Sequence, residues 1–186
     1  NKKMKKKVIG LIPTRLSSTR LPKKPLIRIN GLPLIIHTYR RAKLSKKLDE
    51  LIICCDDKKI LNLAKKYNAK AILTSKRHKN GTERIFEAYK KIEKKYDLIV
   101  DIQGDEPLVS PYHIDQVINF HKKNFGADII LPTLKVKSKN NTNIIKVIKD
   151  VKGYVLYLSR GNIPFEYKDT TSKVDKHLSI ISFLPN

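Results

Sequence analysis

The stretch Gln103-Gly104-Asp105-Glu106-Pro107 follows an apolar run, Leu98-Ile99-Val100-Asp101-Ile102, that predicts a buried strand. A glycine there allows the chain to turn sharply off the strand, and two carboxylates follow at once. Open α/β sheets bind ligands at the carboxyl ends of their strands. Because Mg²⁺ takes oxygen ligands and is usually shared with substrate phosphates, Asp105 and Glu106 are candidate metal ligands. The alternative is a polar turn that caps the next helix, and these two residues alone do not decide between the two.

Outward from this stretch, short apolar runs alternate with segments whose apolar residues have helical spacing. This alternation predicts a three-layer α/β/α fold with a mostly parallel (mixed) sheet. The 186 residues are enough for one core of this kind, so we interpret residues 1–186 as a single domain. The predicted strands are residues 8–13, 51–55, 69–73, 98–102, 128–134, 144–148, 154–158 and 179–184. Residues 166–176 are polar and are expected to be mobile.

A loop dense in hydroxyls and cations follows the first predicted strand. Its polar residues are Thr14, Arg15, Ser17, Ser18, Thr19, Arg20, Lys23 and Lys24. Hydroxyls, backbone N–H groups and cationic side chains are the groups that bind a triphosphate. A solvated basic loop would account for any one of the cations. It accounts less well for Arg15, Arg20 and Lys24 together, directly after a buried strand.

A second polar loop, residues 74–84, follows the third predicted strand and is expected at the same edge of the sheet. Gly81 permits close backbone approach there, and we expect Thr82 to cap the helix that follows. The acidic residues after the second strand, Asp56 and Asp57, have a simpler interpretation. They precede a helical pattern and are expected to be an N-cap and a first-turn residue.

The composition is strongly basic, with a formal net charge of +23 from 40 Lys and Arg against 17 Asp and Glu. Such a charge invites a nucleic-acid interpretation. The lysines are spread over nearly every segment, however, and do not form one stripe. We therefore expect no dedicated nucleic-acid surface, although the charge would attract polyanionic substrates such as nucleoside triphosphates.

The sequence contains no apolar run near the ~20 residues of a spanning helix. The apolar run after the basic N-terminus is too short for a signal sequence. We therefore expect no membrane association and a cytoplasmic protein. Cys54 and Cys55 are adjacent in a predicted strand, where neighbouring side chains point to opposite faces, so they are expected to be reduced core residues.

A first loop and four later motifs, in the same order, resemble those of the sugar-acid cytidylyltransferases. Within that family they are most similar to the 3-deoxy-manno-octulosonate (Kdo) cytidylyltransferases, or CMP-Kdo synthetases. The first loop, residues 12–26, is similar to the signature loop of that family. The later motifs are Gly81-Thr82-Glu83-Arg84, Gln103-Gly104-Asp105-Glu106-Pro107, Lys146-Val147-Ile148 and Tyr157-Leu158-Ser159-Arg160. The resemblance implies the nucleotide-diphospho-sugar transferase fold, usually as a homodimer. It also implies the transfer of CMP from CTP to Kdo in lipopolysaccharide biosynthesis.

The resemblance also implies roles for individual residues. Arg15, Lys24 and Asp105 would be catalytic, with the two cations on the phosphates and Asp105 on Mg²⁺. The acid sugar would contact Arg160 and His177. The nucleotide would contact Thr14, Arg15, Ser17, Ser18, Lys24, Ser75, Gly81, Thr82, Arg84, Gln103 and Gly104.

The chain departs from the family pattern at three places. Lys23 stands where the family usually has Gly, and Ile181 replaces a tyrosine expected to contact the sugar. Family members also continue to a later Asp that would provide a second metal ligand, so we expect a chain truncated at its C-terminus. Two alternatives therefore remain, namely a cytidylyltransferase for another acid sugar of the nonulosonic (sialic) type, and a non-catalytic nucleotide-binding remnant.

Overall fold

The computed structural model describes residues 6–17, 21–137, 141–163 and 173–185 of the chain. The chain divides into two compact units. The larger unit takes its residues from Asn1–Ile130 and Ser179–Asn186, and the smaller unit is Leu131–Leu178. The interpretation of residues 1–186 as one domain stays a prediction.

Strands and helices alternate along the larger unit. Within the described ranges, the strands are β1 (Val8–Thr14), β2 (Arg28–Ile29), β3 (Leu32–Pro33), β4 (Glu50–Cys55), β5 (Ala71–Leu73), β6 (Leu98–Ile102), β7 (Ile129–Ile130), β8 (Thr133–Lys137), β9 (Lys146–Lys149), β10 (Val155–Ser159), β11 (Lys173–His177) and β12 (Ile180–Phe183). The helices are α1 (Leu34–Ala42), α2 (Lys58–Lys66), α3 (Gly81–Lys90) and α4 (Pro111–Lys123), with a 3₁₀ turn at Lys24–Leu26. None of the helices in these ranges has the length and apolar character that a membrane span requires.

The main sheet of the larger unit has the strand order β5-β4-β1-β6-β12-β7. Strands β5, β4, β1 and β6 are parallel, whereas β12 is antiparallel to both β6 and β7. The two central parallel strands, β1 and β6, are buried along their whole length, as their near-continuous apolar sequences predict. The expectation of a mostly parallel, mixed sheet is confirmed.

Helices cover both faces of this sheet. On one face, Ile35 of α1, Ile60 of α2 and Ile114 of α4 belong to a single core cluster and are fully buried. On the other face, Ile85 and Ala88 of α3 join a second cluster. The expected three-layer arrangement is therefore confirmed, and α3 alone covers the second face among the described helices.

The start of α3 differs from the sequence expectation. The helix is capped by Asn80, whose side chain accepts a hydrogen bond from the Glu83 N–H at 2.9 Å. Thr82 lies inside the first turn, so the prediction that it caps the helix was wrong. Asn80 has the extended backbone of an N-cap, which turns its side-chain oxygen toward the free N–H groups. At α2 the expected N-cap is present, since Asp57 accepts from the Lys59 N–H at 2.8 Å. Asp56 precedes this cap and no acidic residue lies in the first turn, so the expectation of a first-turn carboxylate was wrong.

The smaller unit contains an antiparallel sheet in the order β10-β9-β11-β8. Two sequence expectations fail near it. The predicted strand 128–134 is interrupted at Pro132, because proline has no N–H for a ladder bond. The two resulting strands, β7 and β8, belong to different sheets. In the segment 166–176, expected to be mobile, residues 173–176 belong to β11, whose polar sequence does not show an apolar alternation. Residues 166–172 lie outside the described residues.

Candidate active site

A cavity of about 470 Å³ opens at the carboxyl ends of β1 and β6, within the larger unit. Segments that follow β1, β5 and β6 form its wall, together with the first residue of α1. Its lining residues are Pro13, Thr14, Arg15, Leu21, Lys24, Pro25, Leu34, His78, Lys79, Asn80, Gly81, Arg84, Gln103, Gly104 and Asp105. The volume falls within the range typical of small-ligand sites.

Gly104 brings the turn after β6 against the end of β1. The chain turns off the strand here, as expected, with the Glu106 N–H donating to the Gln103 carbonyl at 3.3 Å, although the backbone of Gly104 is not left-handed. A Cβ at this position would lie 2.8 Å from the Pro13 carbonyl oxygen, which leaves no room for a side chain. The Gly104 carbonyl accepts a hydrogen bond from the buried Thr38 hydroxyl at 3.2 Å. This close packing fixes the position of Asp105, the next residue.

Lys24 and Asp105 form an ion pair across the cavity, with 2.6 Å between Lys24 Nζ and Asp105 Oδ2. Lys24 begins the 3₁₀ turn, after Lys23 in the left-handed conformation at φ 55°. A proline usually disfavours a helical backbone at the preceding residue, yet Lys24 lies in this 3₁₀ turn directly before Pro25. The side chains of Lys24 and Asp105 are 34% and 51% exposed, so a ligand has access to both.

Arg84 connects segments that form the wall of the cavity. Only 3% exposed, it donates through one terminal nitrogen to the Thr74 hydroxyl at 2.6 Å and the Ser75 carbonyl at 3.1 Å. Its other terminal nitrogen lies 3.7 Å from Asp56 Oδ2. Asp56 Oδ1 accepts from the Leu16 N–H at 2.8 Å, in the loop after β1. Asp56 therefore joins two walls of the cavity, which is a role that the sequence analysis missed.

The loop before α3 is held by Glu87. This carboxylate accepts from the Ser75 N–H at 2.8 Å, contacts His78 Nε2, and pairs with Lys91 at 2.6 Å. The hydrogen bond from Lys91, followed by that from Ser75, lowers the pKa of Glu87 to about 2. Glu87 is thus a stable anion that fixes His78, one of the cavity-lining residues.

Gln103 lies at the floor of the site with its amide nitrogen directed at Asp101. Gln103 Nε2 donates to the two carboxylate oxygens of Asp101 at 3.2 and 3.3 Å. Asp101 is 5% exposed, and burial raises its pKa to about 7 despite the hydrogen bond from Gln103, which lowers it.

Most of the nucleotide-binding residues suggested by the resemblance lie in this cavity wall. They are Thr14, Arg15, Lys24, Gly81, Arg84, Gln103 and Gly104, and Asp105, the residue suggested for the metal, lies in the same wall. Ser17, Ser75 and Thr82 are not among the lining residues, although Ser75 supports Arg84 through its carbonyl. Ser18, together with Arg20, lies outside the described residues. The functional roles of all these residues remain predictions.

The two residues assigned to the sugar belong to the smaller unit. Arg160 donates to the carbonyls of Thr142 and Asn143, at 3.2 Å each. His177 ends β11 and its Nε2 atom is buried, with no hydrogen-bond partner among the described residues. Burial lowers the pKa of His177, which favours the neutral ring. A buried ring nitrogen without a partner is suited to a ligand group, so this observation is consistent with a binding role.

Asp105 contributes the only carboxylate among the residues lining the described cavity. Across the described ranges, no group of three or more His, Cys, Asp or Glu side chains could hold a metal ion by itself. That donor set does not suit zinc, which requires several protein ligands. One carboxylate beside the cationic side chains of Arg15 and Lys24 does suit Mg²⁺, which keeps several waters and is usually shared with substrate phosphates.

A family model described as cytidylyltransferase matches residues 9–183 of the chain. The mitochondrial 3-deoxy-manno-octulosonate cytidylyltransferase of Arabidopsis thaliana is 39% identical over 191 residues, covering 98% of this chain and 65% of the relative. The enzyme of that name from Fusobacterium nucleatum is 42% identical over 182 residues, covering 95% of this chain and 73% of the relative. The chain thus spans slightly less than two thirds of the length of the plant relative.

A solved structure is also similar over most of the chain. It is CMP:2-keto-3-deoxy-manno-octonic acid synthetase complexed with CTP, with a TM-score of 0.87 and 28% identity. The match covers 96% of this chain and 74% of that chain. The chain therefore shares its fold with an enzyme whose structure was solved with CTP bound.

Proposed function

Because this chain belongs to the cytidylyltransferase family, we propose that it transfers CMP from CTP to Kdo, giving CMP-Kdo and pyrophosphate for lipopolysaccharide biosynthesis. The observation that carries the proposal is the cavity in which Lys24 and Asp105 meet at 2.6 Å beside Arg15. Cations for phosphates and a carboxylate for Mg²⁺ converge there from loops far apart in sequence. The names of the similar enzymes supply the choice of substrate.

The reaction is an in-line displacement at the α-phosphorus of CTP. The anomeric hydroxyl of the sugar forms the new P–O bond, the bond to the bridging oxygen breaks, and pyrophosphate leaves while the hydroxyl loses its proton. The protein in such chemistry mainly positions the reactants and neutralises charge. We assign Arg15 and Lys24 to the phosphates, and the segment 75–84 with Gln103 to the nucleoside.

We propose Mg²⁺ as the metal, with Asp105 as the protein ligand. When bound, the ion would neutralise charge on the phosphate oxygens. Lys24 would neutralise charge on the same phosphates. Its ion pair with Asp105 holds it in place before a nucleotide binds. Arg84 does not depend on the metal, since its position is set by Asp56, Thr74 and Ser75.

The acid sugar is assigned to Arg160 and His177, and the identity of that sugar is the second part of the proposal. A guanidinium matches a sugar carboxylate, and the buried Nε2 of His177 is available for a hydroxyl. A nonulosonic acid presents the same carboxylate and is the alternative substrate, while a nucleotide-binding remnant is the alternative without turnover. Homodimer formation and a cytoplasmic location are proposals that follow from the resemblance and the sequence.

The test is a pyrophosphate-release assay with purified protein, CTP and Mg²⁺, to which Kdo or a nonulosonic acid is added. The proposal predicts sugar-dependent pyrophosphate release and a product with the mass of CMP-Kdo. Omitting the sugar, or replacing CTP by ATP, should abolish release. Release with the nonulosonic acid alone would establish the alternative substrate. CTP binding without release for any acid sugar would support the remnant and reject the catalytic proposal.

A further inference from the structure

Asp101 is a buried carboxylate for which the proposed reaction has no role. It lies in β6 on the face that α3 covers, between its register partners Leu11 of β1 and Ile181 of β12. Both partners are apolar, and the only described hydrogen bonds to its carboxylate that the structure shows come from the Gln103 amide. In such surroundings the charged form of a carboxylate is costly unless it is paired or hydrogen-bonded, so the contact with Gln103 matters.

Few titratable groups face Asp101. On the same side of the sheet, β4 contributes the Cys54 thiol, whose pKa is raised by burial, so that it stays neutral. Helix α3 contributes the Arg84 guanidinium, which is paired with Asp56. Neither group sets the pKa of Asp101. Burial is the main cause that raises this pKa, and the hydrogen bond from Gln103 opposes it. The protonation of Asp101 is therefore coupled chiefly to the orientation of one amide.

That amide can present either an acceptor or a donor to the cavity. An ionised carboxylate only accepts hydrogen bonds, so it holds Gln103 with Nε2 toward Asp101 and leaves Oε1 for a ligand. A protonated carboxyl group can instead donate to Oε1, which would turn Nε2 toward the ligand. Gln103 lines the cavity, so the two orientations would present opposite hydrogen-bonding character to a substrate.

We propose that Asp101 is a positioning residue that, in its ionised form, fixes the Gln103 amide so that Oε1 accepts a hydrogen bond from a hydroxyl or amino group of the bound substrate. The proposal deepens the proposed function and rests on it for the identity of the substrate. Protonation of Asp101 weakens the preference of the Gln103 amide for this orientation. Because its pKa lies near 7, the orientation of the amide changes within the physiological pH range.

The first experiment does not require turnover. The side-chain amide signals of Gln103, identified by their loss in Gln103→Ala, are followed by ¹H–¹⁵N NMR between pH 5 and 9. They should shift with a midpoint near pH 7 in the unaltered protein. In Asp101→Asn, which has nearly the same shape and no titrating group, the midpoint should vanish. Asp115→Asn, at a carboxylate of α4 that accepts from the Ser45 hydroxyl and is not among the cavity-lining residues, is the matched control and should keep the midpoint.

The second experiment measures kcat/KM against pH for the same variants. Asp101→Asn should lower kcat/KM by about tenfold at pH 8, mainly through KM, and should lose the acidic limb near pH 7. Added to Gln103→Ala, it should cause no further loss. A thermal melt at pH 8 no lower than that of the unaltered protein shows that the variant is folded.

The proposal is overturned if the Gln103 signals do not titrate, if the midpoint persists in Asp101→Asn, or if that substitution lowers activity equally in the Gln103→Ala background. Absence of pyrophosphate release in the unaltered protein would reject the proposed function instead. The NMR titration would then still decide whether Asp101 sets the orientation of Gln103.

Discussion

Lys24 and Asp105 are 81 positions apart in the sequence and meet at 2.6 Å in the cavity. An ion pair as exposed as this one adds little to stability, since solvent screens it and both side chains lose freedom. The ion pair therefore matters for the site and not for stability, because it positions a cation and a proposed metal ligand next to each other before a ligand binds. Its neighbour Lys23 is exposed and has the left-handed backbone that favours glycine.

Substitution of the two adjacent lysines should separate these roles. Lys24→Ala should lower kcat/KM for CTP by about a hundredfold, or ~3 kcal/mol, because it removes a charge-assisted phosphate contact. Lys23→Gly should leave kcat/KM nearly unchanged and raise the free energy of unfolding by between zero and about 1 kcal/mol, because it relieves the left-handed strain. Each change removes one positive charge from the same loop, so each controls for net charge. Equal losses of activity would mean that the loop acts as a diffuse basic patch.

Asp105→Asn tests the metal assignment. A neutral amide is a poorer Mg²⁺ ligand than a carboxylate, so CTP binding should lose most of its dependence on Mg²⁺. Turnover should fall by on the order of a hundredfold or more. Calorimetric titrations of CTP with and without Mg²⁺ measure the first effect, and pyrophosphate release measures the second. Unchanged values in both would show that Asp105 is not the metal ligand.

The residues of the site could be predicted from sequence to the extent that they belong to ordered motifs. Lys24, Gly81 and Gln103 were assigned in this way, and all three line the cavity. Asp56 could not be assigned, because its partners, Leu16 and Arg84, are reached only through the fold. The available signal was its position at the carboxyl end of a strand, the same criterion that indicated Asp105.

At the scale of elements, the junction of β4 and α2 places two neighbouring carboxylates in different environments. Asp57 is the N-cap of α2 and accepts from the Lys59 N–H. Asp56 is buried and supports both the loop after β1 and the nearly inaccessible Arg84. Removing Asp56 would leave the Arg84 guanidinium buried without its carboxylate partner, which is expensive in a protein interior.

Asp56→Ala should therefore destabilise the protein by about 2–4 kcal/mol and weaken CTP binding at the same time. Asp57→Ala is the matched control and should cost only about 1 kcal/mol, the usual value of an N-cap, without affecting CTP binding. Urea denaturation gives the stabilities and calorimetry gives the affinities. If Asp57→Ala proved as damaging to CTP binding as Asp56→Ala, the proposed support of the cavity by Asp56 would be wrong.

Strands that are almost entirely apolar, such as β1 and β6, were predictable because burial on both faces leaves a near-continuous apolar run. Strand β11 was not, because its residues are mainly polar and only Val174 among them is buried. The cap of α3 was misplaced by two residues, since several polar residues at the helix start could each serve as a cap. Only the backbone conformation of Asn80 distinguishes it from Thr82.

At the scale of the whole molecule, the net charge of +23 raises the question of nucleic-acid binding. We expect duplex DNA to bind weakly, without sequence preference, and to dissociate as salt rises from ~50 to ~200 mM, because phosphate contacts alone are salt-dependent. Fluorescence anisotropy with two unrelated duplexes measures this. Tight binding to one sequence at physiological salt would show that the charge serves a nucleic-acid site.

The central claim is that the cavity recognises cytidine triphosphate and is not merely a basic site for phosphate. Calorimetric titration with CTP, ATP and GTP in the presence of Mg²⁺ tests it most directly. All three nucleotides carry the same triphosphate, so any difference in affinity reports contacts to the base. CTP should bind at least about tenfold more tightly than either purine nucleotide, because a polar pocket matched to one base leaves unpaired groups with another. Equal affinities for the three would contradict the account.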